Sequence, residues 1–457
     1  MVNLGRLFGT NGIRGVVNIE MTSELALKIG KAVGTFFKNG SLLIGCDGRV
    51  SGLMLKNAVI SGLLSTGVNV VDVGLAPTPA VQYATREWGM RGSIIVTASH
   101  NPPEFNGIKV VGGDGIEISA VEENEIENIY FSNNYNAADW RSVGGFERRN
   151  DVLNLYMESI LGKIKADEIK KAGLKVVVDP GNGVGGLVTP YLTSLAGCMT
   201  VTVNSSIDGF FPGRPPEPTD ESLTLLKKTV KETGADIGIA HDGDADRVVF
   251  VDDKGNFITG DRSFAVLIIK TLSKFKKGKV VTPIASSNVI KDVTEEYGGQ
   301  LVTTKVGSVI VARTLKEVDG IIGGEENGGV FYSPHQYVRD GAMGAMLMIE
   351  YLAETGRSLS KLTSSLPRYY QVKKKIHCPH NIKETLLNKL KENVKNYEVD
   401  TTDGVKIYLE RGWVLIRASG TEPIIRCYAE SDLKNEAEKL SNWGLGLIDE
   451  LMKKIAV

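Results

Sequence analysis

Residues 93–102 read SIIVTASHNP, and this stretch decides the fold together with two others of the same design. Its β-branched apolar run ends abruptly in a loop that carries a serine and a histidine. Residues 235–247 (ADIGIAHDGDADR) and 318–329 (VDGIIGGEENGG) also end apolar runs in functional groups, three aspartates and two glutamates. Because open α/β sheets bind ligands at the carboxyl ends of their strands, each of the three loops is predicted to bind a ligand.

Each of these loops closes a longer repeated unit. Two earlier strand-like runs precede it in every case: SLLIGCD and VNVVDVG, KVVVDP and MTVTVN, and KVVTPIAS and QLVTT. Helical stretches such as residues 53–67 and 221–235 alternate with these runs. This alternation predicts right-handed βαβ crossovers and a largely parallel sheet in each unit. Three related α/β domains are therefore expected up to about residue 366.

The pattern changes after Pro367. Charged strands, an amphipathic helix, a hairpin-like stretch at 403–420 and a closing helix from about 435 to 452 predict a small α+β domain. A chain of 457 residues is long enough for four such domains, each with its own core. The predicted domains are 1–150, 151–255, 256–366 and 367–457.

Composition excludes several classes of partner. Lys and Arg number 53 and Asp and Glu 54, so the formal net charge is -1 and no basic field favours nucleic acid or anionic lipid. No stretch approaches the ~18 apolar residues of a membrane span, and the first residues lack a signal-peptide core. The four cysteines are far apart, which is typical of reduced, buried thiols. We expect a cytoplasmic monomer or homodimer whose partners are small molecules.

Asp242, Asp244 and Asp246 are the strongest chemical signal. Their alternate spacing after an apolar strand offers three carboxylate oxygens to a hard cation such as Mg²⁺. An EF-hand begins with similar spacing, but here Arg247 holds the glycine position, strands flank the segment, and Asp253 stands where the loop needs glutamate. A solvated acidic turn is the other alternative, although carboxylates this close repel one another. The pattern predicts a magnesium site.

Ser99 is predicted to carry a phosphoryl group. A strand-end serine in one unit and three strand-end aspartates in the next favour a phosphoserine held against Mg²⁺, with the serine as a further metal ligand. A capping or turn hydroxyl is the alternative, and the GxSxG elbow of hydrolases is absent. His100 is expected to orient or contact the phosphate, since neighbouring side chains in extended chain point apart. Lys109 is a proton-transfer candidate if its pKa is lowered, and otherwise a solvated strand lysine.

The stretch RASGTEP at 417–423 contains the parts of a phosphate cradle. A fork-shaped guanidinium, two hydroxyls and a glycine that exposes backbone N–H groups all suit an anion. A hairpin turn with a surface arginine is the alternative. The predicted phosphate-binding residues are Arg417, Ser419, Gly420 and Thr421, with Arg426 as a second cation.

Two glycine-rich loops receive different interpretations. In GEENGG, Glu325 and Asn327 offer acceptors and a donor suited to vicinal sugar hydroxyls, while Glu326 is expected to point the other way. Residues 181–186 satisfy GxGxxG between a strand and a helix, as in dinucleotide sites. The next strand ends at Asn204 without an acidic residue for a ribose, so this turn is interpreted as a packing turn.

Five motifs in order along the chain closely resemble the α-D-phosphohexomutase family of phosphoglucomutases, phosphomannomutases and phosphoglucosamine mutases. They are FGTNGIRG, TASHNPPEFNGIK, DGDADR, GEENGG and RASGTEP. The resemblance implies a heart-shaped protein of three α/β domains and a TATA-binding-protein-like α+β domain around a central cleft. It also implies a phosphorylated Ser99 beside Mg²⁺, Arg14 and Lys109 near the phosphoserine, and Arg247 steadying the reacting group.

The family's reaction is implied by the same resemblance. The phosphoserine gives its phosphoryl group to a hexose or hexosamine phosphate, and the resulting 1,6-bisphosphate turns over and returns the other phosphate. Many bacterial members carry Ser and His where this chain has Asn327 and Gly329, and some members carry His where it has Ser308. The GEENGG form resembles that of archaeal-type members. We favour glucosamine phosphate as substrate, with glucose and mannose phosphates as the alternative. A Mg²⁺-dependent sugar phosphatase or an inactive sugar-phosphate binder stays open as another class of function.

Overall fold

A mixed six-stranded sheet organises the first domain of the computed structural model, which describes residues 7–9, 11–420 and 422–456. Its strands are β1 (Ile13–Val16), β2 (Ser41–Cys46), β3 (Asn69–Leu75), β4 (Gly92–Val96), β5 (Phe105–Gly112) and β6 (Phe146–Arg148). Its helices are α1 (Ser23–Phe37), α2 (Gly52–Leu64), α3 (Thr78–Glu87) and α4 (Ala120–Ser132). The strand order is β1-β5-β4-β2-β3-β6, and only the β4–β5 and β5–β1 pairs are antiparallel.

The second domain has five strands in the order β11-β10-β9-β7-β8. These strands are β7 (Lys175–Asp179), β8 (Met199–Thr202), β9 (Ile237–His241), β10 (Val248–Asp252) and β11 (Phe257–Ile258). The helices are α5 (Val152–Leu161), α6 (Ala166–Ala172), α7 (Thr189–Leu195) and α8 (Thr224–Thr233), with a 3-10 turn at Val184–Leu187. The strand β11 lies just beyond the predicted boundary at 255 but pairs with β10, so the second sheet extends past that residue.

The third domain has the strand order β13-β12-β14-β15-β16. These strands are β12 (Lys279–Pro283), β13 (Gln300–Thr304), β14 (Ile322–Gly324), β15 (Val330–Tyr332) and β16 (Gln336–Arg339). The helices are α9 (Gly260–Phe275), α10 (Asn288–Glu296), α11 (Ser308–Glu317), α12 (Gly341–Thr355) and α13 (Leu359–Ser364).

The three sheets share one inner topology: β5-β4-β2-β3, β10-β9-β7-β8 and β15-β14-β12-β13. In each, three parallel strands are followed by an antiparallel fourth strand beside the third. The loops with Ser99, the aspartates and Glu325 all lie after the third strand, so they occupy equivalent positions. The predicted repeat is therefore confirmed.

The fourth domain is an antiparallel sheet in the order β17-β21-β20-β19-β18. Its strands are β17 (Tyr370–His377), β18 (Glu398–Asp400), β19 (Val405–Leu409), β20 (Gly412–Ala418) and β21 (Ile424–Ser431). A 3-10 turn at His380–Ile382 precedes α14 (Lys383–Asn393), and α15 (Lys434–Ala456) ends the domain. The predicted α+β domain is confirmed.

The fourth domain has an apolar core distinct from that of the three α/β domains. The largest core cluster runs through all three α/β domains, with Val71, Val178 and Val280 among its members. The fourth domain has its own core, in which Ile448 of α15 packs with buried residues of its sheet and of α14. A smaller cluster joins Trp413 of the fourth domain to the third domain. Among the described residues, no helix has the length and apolar character required to cross a membrane.

Candidate active site

Ser99 lies in the loop after β4, where the first domain meets the second. Its side chain is fully buried, and its Oγ donates a hydrogen bond to Asp242 Oδ2 at 2.6 Å. The backbone has the left-handed conformation, φ 51°, which is uncommon for a residue with a Cβ, and the Ser99 N–H donates to Thr97 Oγ1 at 2.8 Å. The structure thus brings together the serine and the aspartate loop that the sequence assigned to neighbouring units.

Arg49 holds the serine loop in shape. This buried arginine pairs with Asp47 at 3.1 Å, and Asp47 also accepts a hydrogen bond from Thr97 Oγ1 at 2.6 Å. The guanidinium donates to backbone carbonyls along the whole loop: Ser99 at 2.9 Å, Asn101 at 2.6 Å, Pro102 at 2.6 Å and Phe105 at 2.9 Å. Charge-assisted hydrogen bonds to several carbonyls fix a loop strongly. Asp47 and Arg49 were not among the predicted site residues, although their place in the loop after β2 is a usable signal.

The three predicted metal ligands form one buried cluster. Asp242, Asp244 and Asp246 each offer a carboxylate oxygen, and these atoms lie within 4.8 Å of one another. Asp244 Oδ2 accepts from Thr78 Oγ1 at 2.6 Å and from Lys109 Nζ at 2.8 Å. The Oδ1 atoms of Asp244 and Asp246 are buried without a hydrogen-bond partner in the described part of the chain. One oxygen of each is anchored while the other stays available, which suits a hard cation.

Glycines allow the backbones of these loops to approach closely. A Cβ at Gly243, between two of the aspartates, would come within 2.5 Å of the Ser99 carbonyl oxygen. A Cβ at Gly183 would come within 2.7 Å of the Gly243 carbonyl oxygen. The GxGxxG turn therefore packs against the aspartate loop, in agreement with its interpretation as a packing turn.

Burial and neighbouring charges give the groups different protonation. Burial, together with the other two aspartates, raises the pKa of Asp242 well above its usual value. Burial acts in the same direction on Asp244, but Lys109 and Thr78 outweigh it and lower that pKa. Burial alone would lower the pKa of Lys109, yet Asp244 and Asp246 raise it above its ordinary value. The proton-transfer role envisaged for Lys109 required a lowered pKa, and the neighbouring aspartates shift this pKa in the other direction.

Arg247 and His100 contact each other next to Ser99. Arg247 Nη1 donates to Glu217 Oε1 at 2.9 Å, and Nη2 lies 3.0 Å from His100 Nδ1. Burial and the charges of Arg247 and Arg14 lower the pKa of His100 to about 2. The imidazole is therefore neutral and accepts from Arg247, in line with the orienting role expected of it. Glu217 was missed because no local pattern connects it to residue 247.

Two guanidinium groups retain unused donors. Arg14 Nη1 donates to the Ala98 carbonyl at 3.1 Å and to Asn101 Oδ1 at 2.7 Å. Arg14 Nη2 and Arg247 Nε are buried and have no hydrogen-bond partner among the described residues. Arg247 Nε lies 3.9 Å from both Asp242 Oδ2 and Asp246 Oδ1, so it faces the aspartate cluster, while Arg14 keeps a buried donor that suits an anion.

The predicted sugar-binding loop, residues 325–329 (the sugar loop), follows β14. One of its two carboxylates points inward and the other outward. Glu325 is buried, and its Oε2 lies 3.6 Å from Arg339 Nη1. Glu326 forms an ion pair with Lys373 of the fourth domain, so it points away from Glu325, as expected. The Asn327 side chain is half-buried and accepts from the Gly329 N–H at 3.1 Å, which closes the loop.

The predicted phosphate cradle is more strongly paired than the sequence indicated. Arg417 Nε and Nη2 both lie 3.0 Å from Asp403 Oδ2, which also accepts from the Val306 N–H of the third domain at 3.1 Å. Arg426 pairs with Glu422 at 3.0 Å.

The turn itself is held from beneath by a buried lysine. Lys383 Nζ donates to the Ser419 carbonyl at 2.7 Å. A Cβ added at Gly420 would meet nothing within 4 Å, so the turn is open on that side. Thr421 lies outside the described residues.

A cleft of about 800 Å³ joins the first, third and fourth domains. Asn11, Arg14 and His100 line it from the first domain, Gly307 from the third and Gly420 from the fourth. Ser308 Oγ, next to this third-domain wall, donates to Asn11 Oδ1 at 3.1 Å. The volume suits a small metabolite, and Arg14 and His100 are the candidate-site residues that line the cleft from the first domain.

Four family models match successive parts of the chain. Their descriptions are phosphoglucomutase/phosphomannomutase alpha/beta/alpha domain I at residues 5–137, domain II at 154–255, domain III at 259–370, and the C-terminal domain at 375–442.

Full-length relatives point the same way. A phosphoglucomutase/phosphomannomutase of Thermococcus kodakarensis is 46% identical, with 98% of this chain and 100% of the relative covered. A phosphoglucosamine/phosphogalactosamine mutase of Sulfurisphaera tokodaii is also 46% identical, with 96% and 98% covered. A crystal structure of a phosphoglucomutase/phosphomannomutase family protein from Burkholderia thailandensis superposes with a TM-score of 0.89 at 29% identity, over 98% of each chain. The motifs, the four domains and these matches agree, and the chain belongs to the phosphoglucomutase/phosphomannomutase family of phosphohexomutases.

Proposed function

We propose that this chain interconverts the 1- and 6-phosphates of a hexosamine or hexose through a phosphoserine at Ser99 and a sugar 1,6-bisphosphate. The observation that carries the proposal is the contact of the buried Ser99 Oγ with Asp242, 2.6 Å away, beside two carboxylates that each keep an unpaired oxygen. A hydroxyl in this position is placed to accept and donate a phosphoryl group.

The aspartates fit a magnesium ion. Asp242, Asp244 and Asp246, with the phosphate on Ser99, would hold it, and the unpaired Oδ1 atoms of Asp244 and Asp246 are the free ligands. When bound, the ion offsets the negative charge on the transferring phosphoryl group.

In the proposed transfer, the P–O bond to Ser99 Oγ breaks as a new P–O bond forms to a sugar hydroxyl, and the proton of that hydroxyl passes to Ser99 Oγ, which leaves as a neutral hydroxyl. The unpaired donors of Arg14 and Arg247 would receive the phosphoryl oxygens. His100 holds the Arg247 fork in place, and Lys109 stabilises the site as a fixed cation. After the bisphosphate has reoriented, its other phosphate returns to Ser99 by the reverse step.

The remaining loops would hold the substrate at its two ends. Glu325 and Asn327 are proposed to bind sugar hydroxyls, in either orientation of the ring. The non-reacting phosphate would bind the fourth-domain turn, through the residues predicted from its motif: Arg417, Ser419, Gly420, Thr421 and Arg426. Asp403 fixes the Nε and Nη2 edge of Arg417. The arginine side chain therefore loses less conformational entropy when phosphate binds.

Glucosamine phosphate is the substrate we favour, and glucose and mannose phosphates are the second candidate. The archaeal-type loop GEENGG is compatible with both. The name of the S. tokodaii relative supports the first, while the name of the equally similar T. kodakarensis relative supports the second. Parallel assays of glucosamine, glucose, mannose and N-acetylglucosamine 1-phosphates should give the highest kcat/KM for glucosamine 1-phosphate.

The same assays test the class of reaction. We expect dependence on a sugar 1,6-bisphosphate and no release of inorganic phosphate. Net phosphate release would instead identify a phosphatase, and a lack of turnover with all four sugars would indicate a binding protein.

Arg417→Ala is expected to raise KM for every hexose phosphate about 10- to 150-fold, because a charge-assisted contact is worth about 1.5 to 3 kcal/mol. The intermediate should also escape into solution more often, since it must be retained while it reorients. Both effects are measured by steady-state kinetics with free bisphosphate quantified. Arg411→Ala, which removes an exposed arginine at the other end of the strand pair, is the matched control. An unchanged KM without leakage would place the phosphate cradle elsewhere.

A further inference from the structure

Arg339, the last residue of β16, joins the aspartate loop to the sugar loop. It is buried, and its Nη2 donates to Asp246 Oδ2 at 2.6 Å, while Nη1 lies 3.6 Å from Glu325 Oε2. One guanidinium therefore faces a predicted metal ligand of the second domain and a predicted sugar ligand of the third. The fork donates a hydrogen bond to Asp246, whereas Glu325 Oε2 is its ion-pair partner and has no hydrogen-bond partner among the described residues.

The sugar loop is shaped around this arginine. A Cβ at Gly329 would come within 2.7 Å of Arg339 Cδ and 3.0 Å of Glu325 Oε2. Gly329 leaves room for the Arg339 side chain, so a larger residue at position 329 would displace the arginine.

The positive charge of Arg339 lies between two buried carboxylates, those of Glu325 and Asp246. Burial raises the pKa of Glu325, and Arg339 is the first of the cations that oppose this rise. On the other side, Asp246 Oδ2 accepts from both Lys109 and Arg339, which leaves Oδ1 as its unpaired oxygen. Without Arg339, Glu325 would lose its nearest cation and would no longer be fixed relative to Asp246.

We infer that Arg339 is a positioning residue that fixes the sugar-binding carboxylate of Glu325 against the metal ligand Asp246. It thereby sets the distance between the bound sugar and the phosphoryl group. The inference rests on the proposed function; it adds Arg339, which no sequence motif indicated, and gives Gly329 of the GEENGG motif a steric role.

The test is a double-mutant cycle measured as binding, so that it does not depend on phosphoryl transfer. Calorimetry with glucosamine 6-phosphate is performed on full-length enzyme carrying Ser99→Ala. Arg339→Met and Glu325→Gln should each weaken binding about 10- to 100-fold. The double variant should be no more than about threefold weaker than the weaker single variant, because both changes remove one interaction. Additive losses would overturn the inference.

Metal binding separates positioning from collapse of the site. Mn²⁺ titration of Arg339→Met should give an affinity equal to or tighter than that of the parent, since a cation has been removed from beside Asp246. A weaker Mn²⁺ affinity in a folded variant would overturn the inference. If Arg339→Met does not fold, the cycle is run with Arg339→Gln, which also removes the charge, and the same criteria decide.

Gly329→Ala provides an independent check that retains both charged side chains. Its methyl group should displace Arg339 and Glu325 and weaken glucosamine 6-phosphate binding about three- to tenfold with Mn²⁺ binding unchanged. Sugar binding as tight as that of the parent would count against the inference. If the parent enzyme binds and turns over none of the sugar phosphates, the proposed function fails, which is a different result from an additive cycle in a working enzyme.

Discussion

Ser99→Ala is expected to lower mutase turnover by about a thousandfold or more while the fold is retained. The Oγ atom forms the bond that carries the phosphoryl group, and no neighbouring hydroxyl replaces it in the described site: Thr97 Oγ1 and Thr78 Oγ1 already donate to Asp47 and Asp244. The stability cost is small, because the substitution removes the hydrogen bond to Asp242, worth about 0.5 to 1.5 kcal/mol, and a longer 3.4 Å contact with His100 Nδ1.

Intact-mass spectrometry after incubation with a sugar 1,6-bisphosphate should find one added phosphoryl group on the wild-type chain and none on Ser99→Ala. Ser93→Ala is the matched control, because Ser93 lies on β4, the strand that precedes the Ser99 loop, and accepts a hydrogen bond from Thr85, away from the aspartates. This control should keep both phosphorylation and turnover. The assignment is wrong if the wild-type chain takes up no phosphoryl group and Ser99→Ala remains fully active.

The equivalent position of the three loops was predictable, because it depends on local signals. Ser99 and the aspartates each follow an apolar strand that ends abruptly, and the repeated order of strands places such loops at the same end of each sheet. Neighbouring repeats that share an apolar core must then bring these ends together. The sequence thus predicted the domain classes and the nature of the site.

The partners of these residues were not predictable, because they are far away in the chain. Arg339 bonds to Asp246 across 93 positions, and no periodicity or motif marks it. Lys109 illustrates the same limit: its place in the site was predicted, but the direction of its pKa shift depends on Asp244 and Asp246, 135 and 137 positions away. Long-range ion pairs determine the charge state of such a site, and only the folded structure contains them.

The fourth domain shows the same limit over a shorter distance. Arg417 was expected to be free for phosphate, whereas Asp403, 14 positions earlier in the turn between β18 and β19, already holds its Nε and Nη2 edge. The pairing of β19 with β20 brings the two side chains together, and that register is a property of the folded sheet. The loop motif therefore identified the cation but not the carboxylate that orients it.

Asp244→Asn is expected to lower turnover about 100- to 1,000-fold and to weaken Mn²⁺ binding. Thr78 Oγ1 and Lys109 Nζ both donate to Asp244 Oδ2, so the asparagine must turn its carbonyl oxygen toward them. Its NH₂ group then takes the place of the unpaired Oδ1 and faces the ion, which it cannot ligate. The substitution therefore removes a metal ligand without changing the size of the side chain.

The unfolding free energy of Asp244→Asn should change by less than about 1 kcal/mol. The weaker pairing with Lys109 is offset by relief of repulsion from Asp242 and Asp246, the repulsion that also raises the pKa of Asp242. Asp253→Asn is the matched control, because Asp253 bonds to Ser360 outside the cluster and should keep normal turnover and Mn²⁺ affinity. Normal turnover of Asp244→Asn, or of wild-type enzyme stripped of metal with EDTA, would exclude the metal role. If the three carboxylates are held together for catalysis, Asp244→Asn should lose activity while its stability is unchanged. If the cluster instead stabilised the fold, the substitution would lower stability first.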